Sequence, residues 1–124
     1  MLPVERLKDL TNRNARLVHR GRFLSTSFLL CVGETDYLVH IHRGRIESID
    51  KGPFVMPRAA FSLRASLEDW QAFCQPLPKP GYHDLMALVK HKRLLVAGDQ
   101  HPFMSHLLYF KAVLEGLRAE AADD

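Results

Sequence analysis

The spacing of apolar side chains changes period several times along this chain, and each change marks an element. Val4, Leu7 and Leu10 repeat at helical spacing, and Pro3 stands where a first helical turn tolerates it. A short amphipathic helix is therefore predicted over about 3–17. From Phe23 to Gly33 the chain is rich in Phe, Leu and Cys, and two further strand-like runs follow over 37–42 and 43–49. Gly33-Glu34-Thr35-Asp36 and His42-Arg43-Gly44 separate these runs as turn material. Three consecutive strands with short connections predict an antiparallel meander.

Lys51-Gly52-Pro53 ends the meander, and Pro57 limits the next segment. Residues 60–65 alternate as a fourth strand with one apolar and one polar side. Ser66 then stands three residues before Asp69, as the cap of a helix that runs through Phe73. Pro76, Pro78 and Pro80 interrupt that helix. Helical spacing resumes over 82–90 with Leu85, Leu88 and Val89 facing inward, and 93–97 reads as a fifth strand ended by Gly98-Asp99.

From His101 onward the pattern is that of one long helix. Phe103, Leu107, Phe110, Leu114 and Leu117 fall within about 80° on a helical wheel, with Val113 at one edge. Met104 and Leu108 extend the apolar side at the other edge, which makes it broader than covering a sheet requires. That second group suits another helix, a second subunit or an apolar ligand. The tail over 119–124 is expected to fray.

Composition sets the scale of the fold. At 124 residues, 47% apolar and 25% charged, the chain has the size and balance of one globular domain over 1–124, of the α+β class. No run of eighteen apolar residues occurs and the first ten residues carry charges, so neither a membrane span nor a secretory signal is read, and a cytoplasmic location is expected. The net charge of +3 permits weak attraction to an anionic surface without identifying one.

Few constellations suggest chemistry. His40 and His42 share one side of a predicted strand, but no third ligand stands near them, and no metal site is assigned. Cys31 and Cys74 are isolated and read as reduced, buried side chains. His83, Asp84, His91, His101 and His106 offer bases, with Ser105 or Cys74 as nominal nucleophiles. No G-x-S-x-G context surrounds a serine, so no catalytic residue is assigned. The glycines form no phosphate-cradling loop, and no cofactor is expected. The basic run Lys90-His91-Lys92-Arg93 is the best point for anionic contact, with Lys92 and Arg93 as headgroup-contact candidates. Aromatic residues are not interleaved with an extended basic face, so nucleic acid is not an expected partner.

The second half resembles the sterol carrier protein 2 (SCP2) family. The likeness rests on the order Phe61-Ser62-Leu63-Arg64-Ala65-Ser66, a helix with Leu67 and Trp70, a Pro/Gly interruption, a helix ending Ala87-Leu88-Val89, and Arg93-Leu94-Leu95-Val96-Ala97-Gly98-Asp99 before an apolar terminal helix. Family members carry a motif like G-K-L-x-V-x-G-D at that strand. Here Lys92 stands at the first glycine position and Arg93 at the lysine position.

The resemblance implies a five-stranded, mostly antiparallel sheet covered by helices, with an apolar pocket between sheet and helices that binds a sterol, fatty-acyl or phospholipid ligand. It implies no catalysis and no cofactor. Phe103, Met104, Leu107 and Leu108 are the lining residues so expected, opposite Trp70, Phe73 and Leu88; the same side chains could instead fill a closed core. Transient membrane-surface contact and a homodimer are further expectations. The alternative is a noncatalytic protein-interaction module that uses the exposed apolar edge of the terminal helix.

Overall fold

The computed structural model describes residues 4–54, 58–75, 78, 80–82 and 84–122. Pro3, Pro57, Pro76 and His83 of the sequence reading lie outside the described residues. Five strands form one sheet: β1 (Thr26–Val32), β2 (Thr35–His42), β3 (Arg45–Lys51), β4 (Phe61–Ala65) and β5 (Leu95–Gly98), in the spatial order β3-β2-β1-β4-β5. Pairing is antiparallel except between β1 and β4, which run parallel. The expected α+β fold with a mostly antiparallel five-stranded sheet is therefore present. Its helices are α1 (Leu7–Asn12), α2 (Ala15–Arg20), α3 (Leu67–Phe73), α4 (Leu85–Lys90), α5 (His101–Ser105) and α6 (Leu107–Ala122).

The meander forms as its turn residues dictate. Gly33 and Glu34 connect β1 to β2, with Val32 paired to Thr35. Arg43 and Gly44 connect β2 to β3, both at positive φ (50° and 81°), which is what a two-residue turn matching the twist of its strands requires. A methyl group at Gly44 would meet the Val18 carbonyl oxygen at 2.5 Å, because the end of α2 passes directly over this turn. Phe23 does not join β1: it is 82% exposed in the connection after α2.

Several helix boundaries correct the sequence reading. The predicted first helix over 3–17 is split into a 3-10 turn (Val4–Arg6), α1 and α2. Asn14 causes the break, since it adopts an extended conformation and its side chain accepts the N–H of Leu17 as the cap of α2. Asn12 meanwhile clamps the end of α1 to β3, donating to the Ile46 carbonyl and accepting the Ile46 N–H, both at 2.9 Å. The helix expected from Tyr82 starts only at Leu85, because Asp84 caps it through the N–H of Met86. The long terminal helix is interrupted at His106, whose non-helical backbone ends α5. Helix α6 then runs from Leu107 to Ala122.

Packing follows the apolar faces. Helices α1, α2 and α6 lie together against the sheet, α1 over β3 and α6 against both short helices. Phe28 of β1, Phe61 of β4, Phe103 of α5 and Phe110 of α6 form the centre of the core, with ring centroids 5.3–5.7 Å apart. Each such ring pair adds roughly 0.5–1.5 kcal/mol beyond area burial. Tyr109 reaches across the sheet edge to donate its hydroxyl to the Gly44 carbonyl at 2.7 Å, which ties α6 to the β2–β3 turn. On the far side, Ser66 caps α3 through the Asp69 N–H, as its position in the sequence predicts, and Trp70 donates its indole N–H to the Cys31 carbonyl at 2.9 Å.

Candidate functional site

The termination of α4 builds one wall of an apolar cleft. After Lys90 the chain turns back, with the N–H groups of Arg93 and Leu94 both bonding to the Leu88 carbonyl. The turn requires a left-handed residue, and Lys92 takes that role at φ +59°. Lys92 occupies the position where the motif quoted above carries glycine, the residue that adopts a left-handed conformation at least cost.

Strand β5 leaves this turn along β4, with Val96 beside Leu63 on the core side. Gln100 then leads into α5, which Pro102 opens at its first turn and Phe103 anchors among the core phenylalanines. Between α4, β5 and α5 lies a cleft of about 410 Å³ lined by Met86, Val89, Lys92, Leu94, Leu95, Val96, Gln100, Phe103 and Met104. Lys92 is the one charged residue in this lining. Met86 and Met104, both in this lining, have unbranched and adaptable side chains.

The residues expected at the site are not all brought to one place. Phe103 and Met104 line the cleft, as does Lys92. Trp70, Phe73, Leu88 and Phe103 are all at most 2% exposed and belong to the core. Leu107 and Leu108 line a separate groove of about 510 Å³ at the α5–α6 break, with Arg20, Met104, Ser105, His106 and Tyr109. Leu108 is 65% exposed there. Met104 is common to both, so the α5–α6 break stands between two openings.

Arg93 is turned elsewhere: its guanidinium pairs with Asp69 at 3.3 Å and lies 5.0 Å from the centre of the Tyr82 ring. Met86, Val89 and Val96 are lining residues the sequence reading did not single out. Their signal was faint, because each reads equally well as the inward face of a helix or strand.

The polar constellations resolve into local structure. His101 and Ser105 approach at 3.3 Å, but Asp99 accepts the backbone N–H of His101. On the open face of the sheet, Ser27 lies 2.7 Å from His40 Nδ1, and His40 Nε2 stands 3.8 Å from Asp50, which links β1, β2 and β3. Cys31 and Cys74 are buried thiols that share no disulfide, and burial, followed by a hydrogen bond to Asp36, raises the Cys31 thiol to about 11. Among the described residues no group of three or more His, Cys, Asp or Glu side chains could hold a metal ion, and no helix is long and apolar enough to cross a membrane.

No protein-family model and no curated protein sequence matches the chain. Solved structures do. A crystal structure of sterol carrier protein 2 superposes with a TM-score of 0.74 at 12% identity, covering 90% of each chain. A structure described as UbiJ-SCP2, a ubiquinone synthesis protein, gives 0.60 at 18% identity, over 94% of this chain and 88% of that one. The apo form of sterol carrier protein 2 from Yarrowia lipolytica gives 0.56 at 12% identity, over 90% and 86%. At these identities the likeness establishes the fold, which is that of SCP2.

Proposed function

We propose that this chain, built on the SCP2 fold, binds a lipid-like apolar ligand without catalysis, in the cleft between α4, β5 and α5. The observation that carries this reading is a cleft of about 410 Å³ whose lining, apart from Lys92 and Gln100, is aliphatic, aromatic and methionine. A volume within the range of small-molecule sites, with few polar groups to fix orientation, suits a guest held mainly by exclusion of water. Each methylene so sheltered contributes roughly 0.8 kcal/mol. An acyl chain of ordinary length therefore supplies affinity without a dedicated polar site.

Lys92 would meet the carboxylate or phosphate of such a ligand, because it is the charged residue of the lining and its left-handed backbone fixes where its side chain departs. The structures most informative about the fold are described as sterol carrier proteins and as a ubiquinone synthesis protein, which agrees with an apolar guest while leaving its head open.

Placing a charge inside the cleft tests the assignment. Met86 stands in the first turn of α4, where a carboxylate favours the helix, and it is not part of the main core. Met86→Glu is expected to weaken binding of a fluorescent fatty-acyl probe tenfold or more with little change in unfolding midpoint. Unchanged affinity would remove the ligand from this cleft.

A further inference from the structure

We propose that two copies of this chain associate through β5, each pairing antiparallel with the other about a two-fold axis at Val96, so that their sheets become one. This inference goes beyond the ligand cleft and does not depend on it. A sheet edge presents a row of backbone N–H and C=O groups that proteins cover, flank with charge or bend away. The β3 edge is protected in this manner. Arg45, Glu47, Asp50 and Lys51 are exposed along it, and the Asn12 amide engages both the N–H and the C=O of Ile46.

The β5 edge has none of these devices. Its residues Leu95-Val96-Ala97-Gly98 carry no charge and no proline, and they pair with β4 without a shift in register. Leu95, a large aliphatic side chain, is 61% exposed there. The direction of the backbone groups follows from the pairing. Ala65 of β4 offers its carbonyl to Gly33 at the end of β1, so Phe61 and Leu63 face β1 as well, and Ser62 and Arg64 face β5. Their partners Ala97 and Leu95 point inward, as does Asp99, whose N–H donates to the Ala60 carbonyl. The N–H and C=O of Val96 therefore point away from the sheet. Gln100 donates its side-chain amide to that carbonyl at 3.1 Å, an exposed stand-in that a strand can displace. Among the described residues, no loop or side-chain group accepts the Val96 N–H.

Charge complementarity selects a second copy as the occupant. Antiparallel pairing brings Lys90, Lys92 and Arg93, which precede the strand, toward Asp99 at the end of the partner's strand, whereas parallel pairing would set like charge beside like. Centred on Val96, it lets the two Val96 residues exchange both hydrogen bonds. It also sets Leu95 of each copy opposite Ala97 of the other, as closely spaced side-chain pairs on the open face. The cleft lining includes Leu95, Val96 and Gln100, so the clefts of the two copies adjoin across the axis.

Sedimentation velocity of the full chain across micromolar concentrations tests the proposal, and an equilibrium between monomer and dimer is expected. Leu95→Lys with Ala97→Lys sets two pairs of like charges opposite each other and should weaken association about tenfold or more. Leu95→Lys with Ala97→Glu sets opposite charges there and should retain it. Both positions are exposed, so each variant should keep the far-ultraviolet circular dichroism of the native chain. Leu95→Cys with Ala97→Cys should give, on oxidation, a dimer held by disulfides between the copies.

A chain that stays monomeric throughout would overturn the proposal and leave the edge to a strand of another protein. So would a dimer that the two-lysine change leaves intact, one that both charged variants dissolve alike, or a cysteine variant that does not crosslink. Failure of acyl-probe binding in a native chain that still dimerises would refute the ligand cleft and leave the pairing standing.

Discussion

At the scale of single residues, Lys92 is the most informative position. A side chain at left-handed φ costs about 1–3 kcal/mol, and glycine removes that cost while adding back some unfolded-state entropy. Lys92→Gly is therefore expected to raise stability by about 1 kcal/mol in urea unfolding, and to weaken binding of a carboxylate-headed ligand more than that of an uncharged one. Cys31 and Tyr109 set a limit on the alkaline side. Burial raises them to about 11 and about 12, from ordinary values of 9.0 and 10.0. The folded protein therefore keeps protons that the unfolded chain has released. Their contribution is fully present below pH 9 and is lost as pH rises through 11 to 12. Urea unfolding across this range should show stability falling with pH, with a shallower slope between 9 and 11 for Cys31→Ala.

At the scale of elements, the sequence was most legible where one period persisted. The alternation over 60–65 and the turn residues at Gly33 and Gly44 located their strands closely, because side-chain direction and turn geometry are both local. Helix ends were less legible. Asn14 and Asp84 act as caps inside segments whose apolar spacing continues across them, so periodicity alone joined what capping divides. Ser66 was recognised because it follows a strand and precedes a helical run. Its hydroxyl accepts the Asp69 N–H at 3.0 Å, and Ser66→Ala should cost about 1 kcal/mol by thermal or urea unfolding, without altering the cleft. The interruption at His106 was not visible in the wheel; Met104 and Leu108, predicted as one apolar edge, share the groove at this break, and Met104 alone also lines the cleft.

At the scale of the whole molecule, tertiary placement decides what sequence spacing leaves open. The apolar residues expected to line a pocket were correctly read as apolar, but spacing does not distinguish a wall from a core. Trp70, Phe73 and Leu88 are buried, while Met86, Val89 and Val96 face the cleft because α4 and β5 meet at the left-handed turn of Lys92. Basic residues behave similarly. The Lys90–Arg93 run attracts attention in the sequence, but Arg93 is engaged by Asp69.

The central claim is that this cleft takes an apolar guest, and equilibrium titration of the delipidated full chain with a fluorescent fatty-acyl probe tests it most directly. Saturable one-to-one binding, displaced by an unlabelled lipid competitor and weakened by Met86→Glu, is the predicted result. A folded protein that gives no saturable signal would contradict the claim.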